Sequence, residues 1–271
     1  MKFNNRFLAN YLNEAPVPLA YERAFECLIL SRQKFEHPIL DVGCGDGILT
    51  KILFDEKIDT GLDPLDYELE SARKIDMYHE LILAFGDKIP KPDNFYKTAF
   101  SNSVLEHIEN LDPVLREVHR VLAPGGSFYV TIPTNYFDKY SVLSKLLTGM
   151  GLSRLAGKYQ KFYNAFWKHY HYNSRAGWKD KFEKSGFSVT HAIAYGAPRD
   201  CLFNDMMVPF TIPNYIVKKL LNRFFLLKSL RKFYSGIWNA ILKDSVILHD
   251  DLSNGGLIFF HLEKPKESQQ H

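Results

Sequence analysis

A turn rich in glycine and aspartate follows the first strongly apolar run of the sequence. It contains Gly43, Gly45 and Gly47 together with Asp41 and Asp46. Glycines let backbone approach a ligand closely at a strand-to-helix turn, where N–H groups of the next helix are free to donate. Dinucleotide-binding turns prefer the spacing G-x-G-x-x-G, whose N–H groups meet a pyrophosphate. The acids of this turn instead favour a ligand that carries positive charge.

Histidines at two places are candidate proton acceptors. His107 follows a predicted strand, and His169 and His171 belong to the cluster His169-Tyr-His-Tyr172 in an aromatic-rich stretch. A neutral imidazole is available near pH 7 to act as a base. We therefore take His107, His169 and His171 as candidate catalytic residues, although such histidines often only pack or hydrogen-bond locally.

Short apolar runs alternate with segments of helical spacing along the first half of the chain. The runs predict strands at 38–42, 58–62, 81–85, 96–101 and 127–132, with helices at 48–54, 67–75 and 112–122 between them. A further helix is predicted at 174–185, and strands at 188–195 and 255–263. This alternation is typical of βαβ units and a mostly parallel sheet, whose ligands bind beyond the carboxyl ends of the strands. Asp41, Asp63 and Asp87 all fall at those ends.

Five motifs in this order resemble one known family. Ile39-Leu-Asp-Val-Gly-Cys-Gly-Asp-Gly47 is similar to motif I of the class I S-adenosylmethionine-dependent methyltransferases of the small-molecule, methyltransferase 11 type. The resemblance continues in register through Gly61-Leu-Asp-Pro64, Gly86-Asp87 and the segments 101–108 and 115–126. It covers residues 38–133 well, and 173–195 and 255–263 more loosely. It implies an α/β fold with a Rossmann-like, seven-stranded, mostly parallel sheet, an antiparallel last strand at Leu257 to Leu262, and helical lid insertions.

The resemblance also implies which residues hold S-adenosylmethionine. Asp63 would bind both ribose hydroxyls, and Asp87 would accept a hydrogen bond from the adenine amino group. Arg23, on a helix predicted before the first strand, could pair with the methionyl carboxylate, and Tyr11 or Tyr21 could cover the site. The complete predicted set is Arg23, Asp41, Gly43, Cys44, Gly45, Asp63, Pro64, Asp87, Asn102 and Ser103.

A metal ion is not predicted, but one arrangement is left open. The sulfonium methyl is already activated, so a site must mainly align an in-line nucleophile and keep water out. Some related enzymes acting on quinone precursors and RNA bind a divalent metal through a Glu-x-x-Glu-His pattern at the position of His107. In this chain Ser103 stands where the first carboxylate would be. A site formed by Glu106, His107 and His171 is the alternative.

One segment is strongly basic. Residues 206–243 contain seven Lys or Arg and no Asp or Glu. An apolar stripe at helical spacing runs through Val217, Leu220, Leu221, Phe224 and Leu227, with Lys218 and Lys219 mostly opposite. Three interpretations are open: a helical cap over the site with a solvated basic face, a helix at residues 212–243 on an anionic membrane surface, and a phosphate or nucleic-acid contact. Nucleic acid is disfavoured because the net charge is only +3.

Composition indicates an ordinary globular enzyme. Apolar residues make up 46% and charged residues 24% of 271 residues. Three scattered cysteines favour a reducing compartment. No apolar run reaches the roughly 18–20 residues of a membrane span, and no secretory signal is recognisable. We therefore expect a cytoplasmic location, with association with a membrane surface if the basic segment makes that contact.

These observations predict a single methyltransferase domain over 1–271. A helical cap is expected at 1–37, a lid insertion at 134–172 and a basic, aromatic helical insertion at 196–254. The expected activity is methyl transfer from S-adenosylmethionine to an oxygen, nitrogen or carbon of a small, amphipathic, lipid-linked or glycan-linked molecule. The alternatives are a non-catalytic, cofactor-binding partner subunit of another enzyme and, less favoured, a nicotinamide-dependent reductase.

Overall fold

A computed structural model describes residues 1–221, 228–248 and 251–266 of the chain. Its centre is a seven-stranded sheet in the order β3-β2-β1-β4-β5-β7-β6. Pairs among β1 to β5 are parallel, and β7 runs antiparallel to both β5 and β6. The strands are β1 Ile39–Val42, β2 Ile58–Asp63, β3 Tyr78–Leu83, β4 Tyr96–Asn102, β5 Leu122–Pro133, β6 Ser188–Tyr195 and β7 Leu257–Glu263. The predicted sheet and its antiparallel last strand are confirmed.

Helices cover both faces of this sheet. They are α1 Phe7–Glu14, α2 Val17–Leu30, α3 Ile48–Leu53, α4 Asp66–Ile75, α5 Leu111–Val121, α6 Val142–Gly149, α7 Ser153–Phe166, α8 Arg175–Lys184, α9 Pro198–Leu221 and α10 Lys228–Leu242. One core cluster contains side chains of α1 to α4, and a second contains those of α5 and α8. Burial of both faces explains why the central strands are nearly continuous apolar runs.

The apolar spacing of α5 shows how sequence positions a helix on the sheet. Leu111, Val114, Leu115, Val118 and Val121 are all buried. They lie on one face because residues three and four apart are neighbours on a helix. This helix follows β4 and returns the chain to β5, so the turn that carries His107 is fixed at the carboxyl end of β4.

Two strands begin three or more residues before their predicted starts. β3 begins at Tyr78 rather than 81, because it is an edge strand and several of its side chains are exposed, which breaks the apolar pattern. β5 begins at Leu122 rather than 127, and its pairing with β4 shifts register between Tyr96 and Thr98. The predicted stop at 124–126 is therefore an irregularity within β5.

The two predicted insertions contain four of the helices. Residues 134–172 include α6 and α7, and residues 196–254 include α9 and α10. We call these four the insertion helices. α9 packs against α2, and α10 packs against α1. Of the insertion helices, α9 and α10 thus lie beside the N-terminal helices, and α6 packs against α7 and α9.

Candidate functional site

The glycine turn follows β1, at the point where the strand order reverses between β1 and β4. Gly43, Gly45 and Gly47 all have positive φ, of 81°, 52° and 78°. A Cβ on Gly43 would lie 2.5 Å from Val104 Cγ1, whereas one on Gly45 would meet nothing within 4 Å. Glycine is therefore required at 43 for space as well as for backbone conformation.

Asp63, the last residue of β2, is hydrogen-bonded to this turn. Its Oδ2 accepts a hydrogen bond from the Gly45 amide at 2.9 Å, and its Oδ1 accepts one from the Leu65 amide at 2.9 Å. Burial raises the pKa of its carboxyl, and the two amide hydrogen bonds oppose that rise. Each carboxylate oxygen can accept more than one hydrogen bond, so capacity for ligand hydroxyls remains.

Asp41 lies deeper, at the base of the turn. Its Oδ2 accepts hydrogen bonds from Thr50 Oγ1 at 2.9 Å and from the Tyr78 hydroxyl at 2.8 Å. Burial raises the pKa of Asp41 to about 7, against the lowering effect of these two hydroxyls. A cationic ligand nearby would favour the ionised form of this carboxyl.

A cavity of about 340 Å³, which we call the turn cavity, opens over these residues. Its walls include most of the predicted cofactor residues: Arg23, Asp41, Gly43, Cys44, Gly45, Asp63, Asn102 and Ser103. Tyr11 also lines it, whereas Tyr21 instead donates a hydrogen bond to Asp200. Pro64 and Asp87 are exposed and do not line the cavity. The glycine cradle and the acidic walls fit a compact ligand with cationic groups, as S-adenosylmethionine is.

Arg23 lines the turn cavity and forms an ion pair with Glu26, a residue that the sequence analysis did not predict. Its Nη1 donates to Glu26 Oε2 at 2.6 Å and to Ser103 Oγ at 2.7 Å. Asn102 Nδ2 and Ser103 Oγ both donate to the fully buried Glu26 carboxylate. Burial alone would lower the pKa of Arg23, but the carboxylates of Glu26 and Glu22 outweigh it and raise that pKa. The network ties α2 to the carboxyl end of β4.

Lys218 of α9 is a second residue at this cavity that no local pattern could place. Its Nζ lies 2.6 Å from Asp46 Oδ2 in the glycine turn and 3.3 Å from Glu68 Oε2. The cap interpretation put the basic face of this segment in solvent. That assignment is wrong for Lys218, which lines the turn cavity, while Leu220 and Leu221 are exposed. Phe224 and Leu227 of the predicted stripe lie outside the described residues.

A second cavity, of about 260 Å³, adjoins the first, and we call it the insertion cavity. Leu19, Arg23 and Ser103 line both cavities. Aromatic side chains of the 134–172 region, namely Phe137, Tyr163 and Trp167, form part of its wall, together with Asn204, Asp205 and Val208 of α9. A molecule in the insertion cavity would therefore lie next to a ligand of the turn cavity.

Glu106, His107 and His169 meet on the wall of the insertion cavity. The rings of His107 and His169 lie with centroids 5.1 Å apart. Burial lowers the pKa of His107, and burial together with His107 lowers the pKa of His169 to about 4. Burial also raises the pKa of Glu106 to about 8. Near pH 7 both imidazoles are neutral and can accept a proton.

His171 does not join this group. Its Nε2 lies 2.9 Å from the carbonyl oxygen of Ile108, and its ring contacts buried Trp178. It does not line either cavity. The alternative left open, a group of Glu106, His107 and His171, is therefore corrected to one that contains His169 in place of His171.

Comparison with known proteins agrees with this geometry. Residues 40–130 match the family described as a methyltransferase domain. The sterol 4-C-methyltransferase strm-1 of Caenorhabditis elegans is 31% identical over 150 residues, which are 49% of this chain and 45% of that protein. The ubiquinone biosynthesis O-methyltransferase of Yersinia enterocolitica is 31% identical over 111 residues, 37% of this chain and 45% of that one. The chain spans less than half the length of these relatives.

A solved structure shows the same fold over nearly the whole chain. A S-adenosylmethionine-dependent methyltransferase of Thermotoga maritima superposes with a TM-score of 0.56 at 16% identity, covering 91% of each chain. Residues 40–130 thus match a methyltransferase domain, and the strand order and the glycine turn agree with the resemblance of the motifs to the class I, S-adenosylmethionine-dependent methyltransferases.

Proposed function

We propose that the protein transfers a methyl group from S-adenosylmethionine, held in the turn cavity, to a small molecule in the insertion cavity. The observation that carries this proposal is the shared wall of the two cavities at Leu19, Arg23 and Ser103. The cofactor supplies an activated methyl group, and the protein must align a nucleophile with it and exclude water. The aromatic wall and the buried acids of the insertion cavity suit a mostly apolar acceptor with a polar reacting end.

The residues of the turn cavity divide the work of cofactor binding. Asp63, oriented by the Gly45 and Leu65 amides, would accept from the ribose hydroxyls. Arg23 would bind the methionyl carboxylate while keeping its contact with Glu26. Exposed Asp87 remains the predicted acceptor for the adenine amino group. His107 and His169 are the candidate bases for an acceptor that must lose a proton.

The first test is calorimetric titration with S-adenosylmethionine and its demethylated product, with NADH as the control ligand. We expect micromolar binding of the two adenosyl compounds alone, abolished in Asp63→Ala. Asp66→Ala is the matched control, because that nearby acid is exposed and does not line the turn cavity. Failure of wild-type protein to bind either adenosyl compound would refute the proposal. Binding without turnover on any acceptor would favour the non-catalytic alternative.

We further propose that α9 and α10 contact an anionic membrane surface, which suits an apolar acceptor. Exposed apolar side chains recur every four residues on each helix: Ile212, Ile216 and Leu220 on α9, and Phe233, Ile237 and Ile241 on α10. This spacing places each set on one helix face. The surrounding segment carries the chain's concentration of basic residues, which anionic headgroups attract. None of the helices within 1–221, 228–248 and 251–266 has the length and apolar character of a membrane span.

Sedimentation with lipid vesicles tests this contact. We expect binding to vesicles containing phosphatidylserine, release by salt, and weak binding to phosphatidylcholine alone. Ile216→Gln with Ile237→Gln should reduce binding, whereas Phe85→Gln should not, because that exposed residue follows β3 and lies on neither helix. Absence of vesicle binding would refute the contact. So would concentration-dependent dimerisation that the same paired substitution abolishes, since the face would then be covered by a second copy.

A further inference from the structure

The cluster of Glu106, His107 and His169 has the donor set of a metal site. One ligand atom from each residue lies within 4.8 Å of the others. Glu106 and His107 come from the short helical turn Leu105–His107 after β4, and His169 follows α7. Two imidazoles and a carboxylate form the set of protein ligands that binds zinc and other divalent transition ions when a further position stays open.

Both histidines are held as metal-bound histidines usually are. His107 Nδ1 lies 3.2 Å from the carbonyl oxygen of Lys168, and His169 Nδ1 lies 3.3 Å from Asn164 Oδ1. A carbonyl oxygen can only accept, so each contact places the ring proton on Nδ1 and leaves the Nε2 lone pair available. Asn164 Nδ2 donates to Asp138 at 2.7 Å, which fixes the amide with its oxygen toward His169.

Glu106 supplies an independent observation. The residue is 2% solvent-exposed, and its Oε2 has no hydrogen-bond partner among the residues that the structure describes. The Nε2 of His107 lies 3.8 Å from Oε1, which is too long for a hydrogen bond. A buried carboxyl oxygen without a hydrogen-bond partner is costly, and the neighbouring imidazole nitrogens, which present lone pairs, cannot donate to it. A cation between the three groups would satisfy all of them.

We propose that Glu106, His107 and His169 bind a divalent transition-metal ion whose open coordination position faces the insertion cavity. A tetrahedral ion with bonds of about 2.0–2.1 Å holds its ligand atoms about 3.3–3.5 Å apart, so binding would draw the three side chains together by about 1 Å. The position of the ion next to a methyl acceptor rests on the proposed function, whereas binding of the ion to these three residues does not depend on it.

The experiment uses untagged full-length protein dialysed against a chelator and then against chelator-free buffer. Co²⁺ titration, followed by visible absorption, should show one ion per chain with the intense bands of a low-coordinate site, and Zn²⁺ should displace it. We expect His169→Ala and Glu106→Gln to weaken Co²⁺ binding by at least about 100-fold. Asn164→Ala should weaken it about 10- to 100-fold, the usual effect of losing an outer partner. His171→Ala is the matched control and should leave binding unchanged.

Each outcome decides the proposal. Absence of a Co²⁺ spectrum and of Zn²⁺ binding in wild-type protein would overturn it, as would equal weakening by His171→Ala and His169→Ala. Thermal unfolding of every variant distinguishes the loss of a metal ligand from the loss of the fold. If Glu106→Gln does not fold, His169→Ala still tests the proposal. Binding of S-adenosylmethionine is measured on the same metal-free protein. Failure of the metal site is thus distinguishable from failure of the proposed methyltransferase function.

Discussion

Replacement of Gly43 by alanine should destabilise the protein through two separable effects. The residue has φ of 81°, and a side chain in the left-handed region costs about 1–2 kcal/mol. The new Cβ would lie 2.5 Å from Val104 Cγ1 and 2.7 Å from Cγ2. Valine is stiff about its Cα–Cβ bond, so it cannot simply rotate away, and overpacking of this kind costs about 1–3 kcal/mol. The expected total is about 2–5 kcal/mol.

Two companion variants separate the effects. Gly45→Ala has φ of 52° and meets nothing within 4 Å, so it should lose only the backbone cost of about 1–2 kcal/mol. Val104→Ala removes both methyl groups that the new Cβ would meet. Combined with Gly43→Ala it should recover at least about 1 kcal/mol relative to the sum of the single changes.

The assay is the free energy of unfolding of the four variants and wild type, measured in urea at one pH without ligand. Equal losses in Gly43→Ala and Gly45→Ala would show that the clash with Val104 has no energetic weight. Additive behaviour of Gly43→Ala and Val104→Ala would show the same. Either result would refute the claim that space, as well as φ, requires glycine at 43.

Three more measurements follow from the structure. Burial raises the pKa of Asp41 in the folded protein to about 7, so its contribution to stability is complete below about pH 4 and is lost as pH rises through 7, with a slope of at most about 1.4 kcal/mol per pH unit. The free energy of unfolding, measured in urea at pH 5 to 8, should therefore fall less steeply with pH in Asp41→Asn than in wild type. Parallel curves would contradict this. Lys218→Gln should speed release of the demethylated product up to about fivefold in stopped-flow displacement, because its ion pair with Asp46 is lost, while exposed Lys219→Gln should not. Gly157→Ala within α7 meets nothing within 4 Å and should raise the free energy of unfolding by about 0.5–1 kcal/mol, and a lower value would show hidden crowding.

Sequence reasoning succeeded where a local pattern has one structural solution. The glycine turn, the period of α5 and the acids at strand ends depend only on neighbours along the chain. The insertion cavity depends on contacts between distant segments. Lys218 lies 172 residues from Asp46, and no periodicity relates them. The choice of His169 over His171 depends on the Ile108 carbonyl, which lies 63 residues from His171 along the chain and which only the fold brings near.

Helix α9 spans both cavities, and this has a thermodynamic consequence. Asn204 and Val208 line the insertion cavity, Lys218 lines the turn cavity, and Pro209 and Pro213 lie between them. Each proline leaves a helical carbonyl without its N–H donor, so the helix is weakest between its two contacts. A ligand that shifts α9 from one cavity changes affinity at the other, and linkage requires the same factor in both directions. Acceptors should therefore be screened both with and without the demethylated product bound, and a difference between the two affinities would measure this coupling.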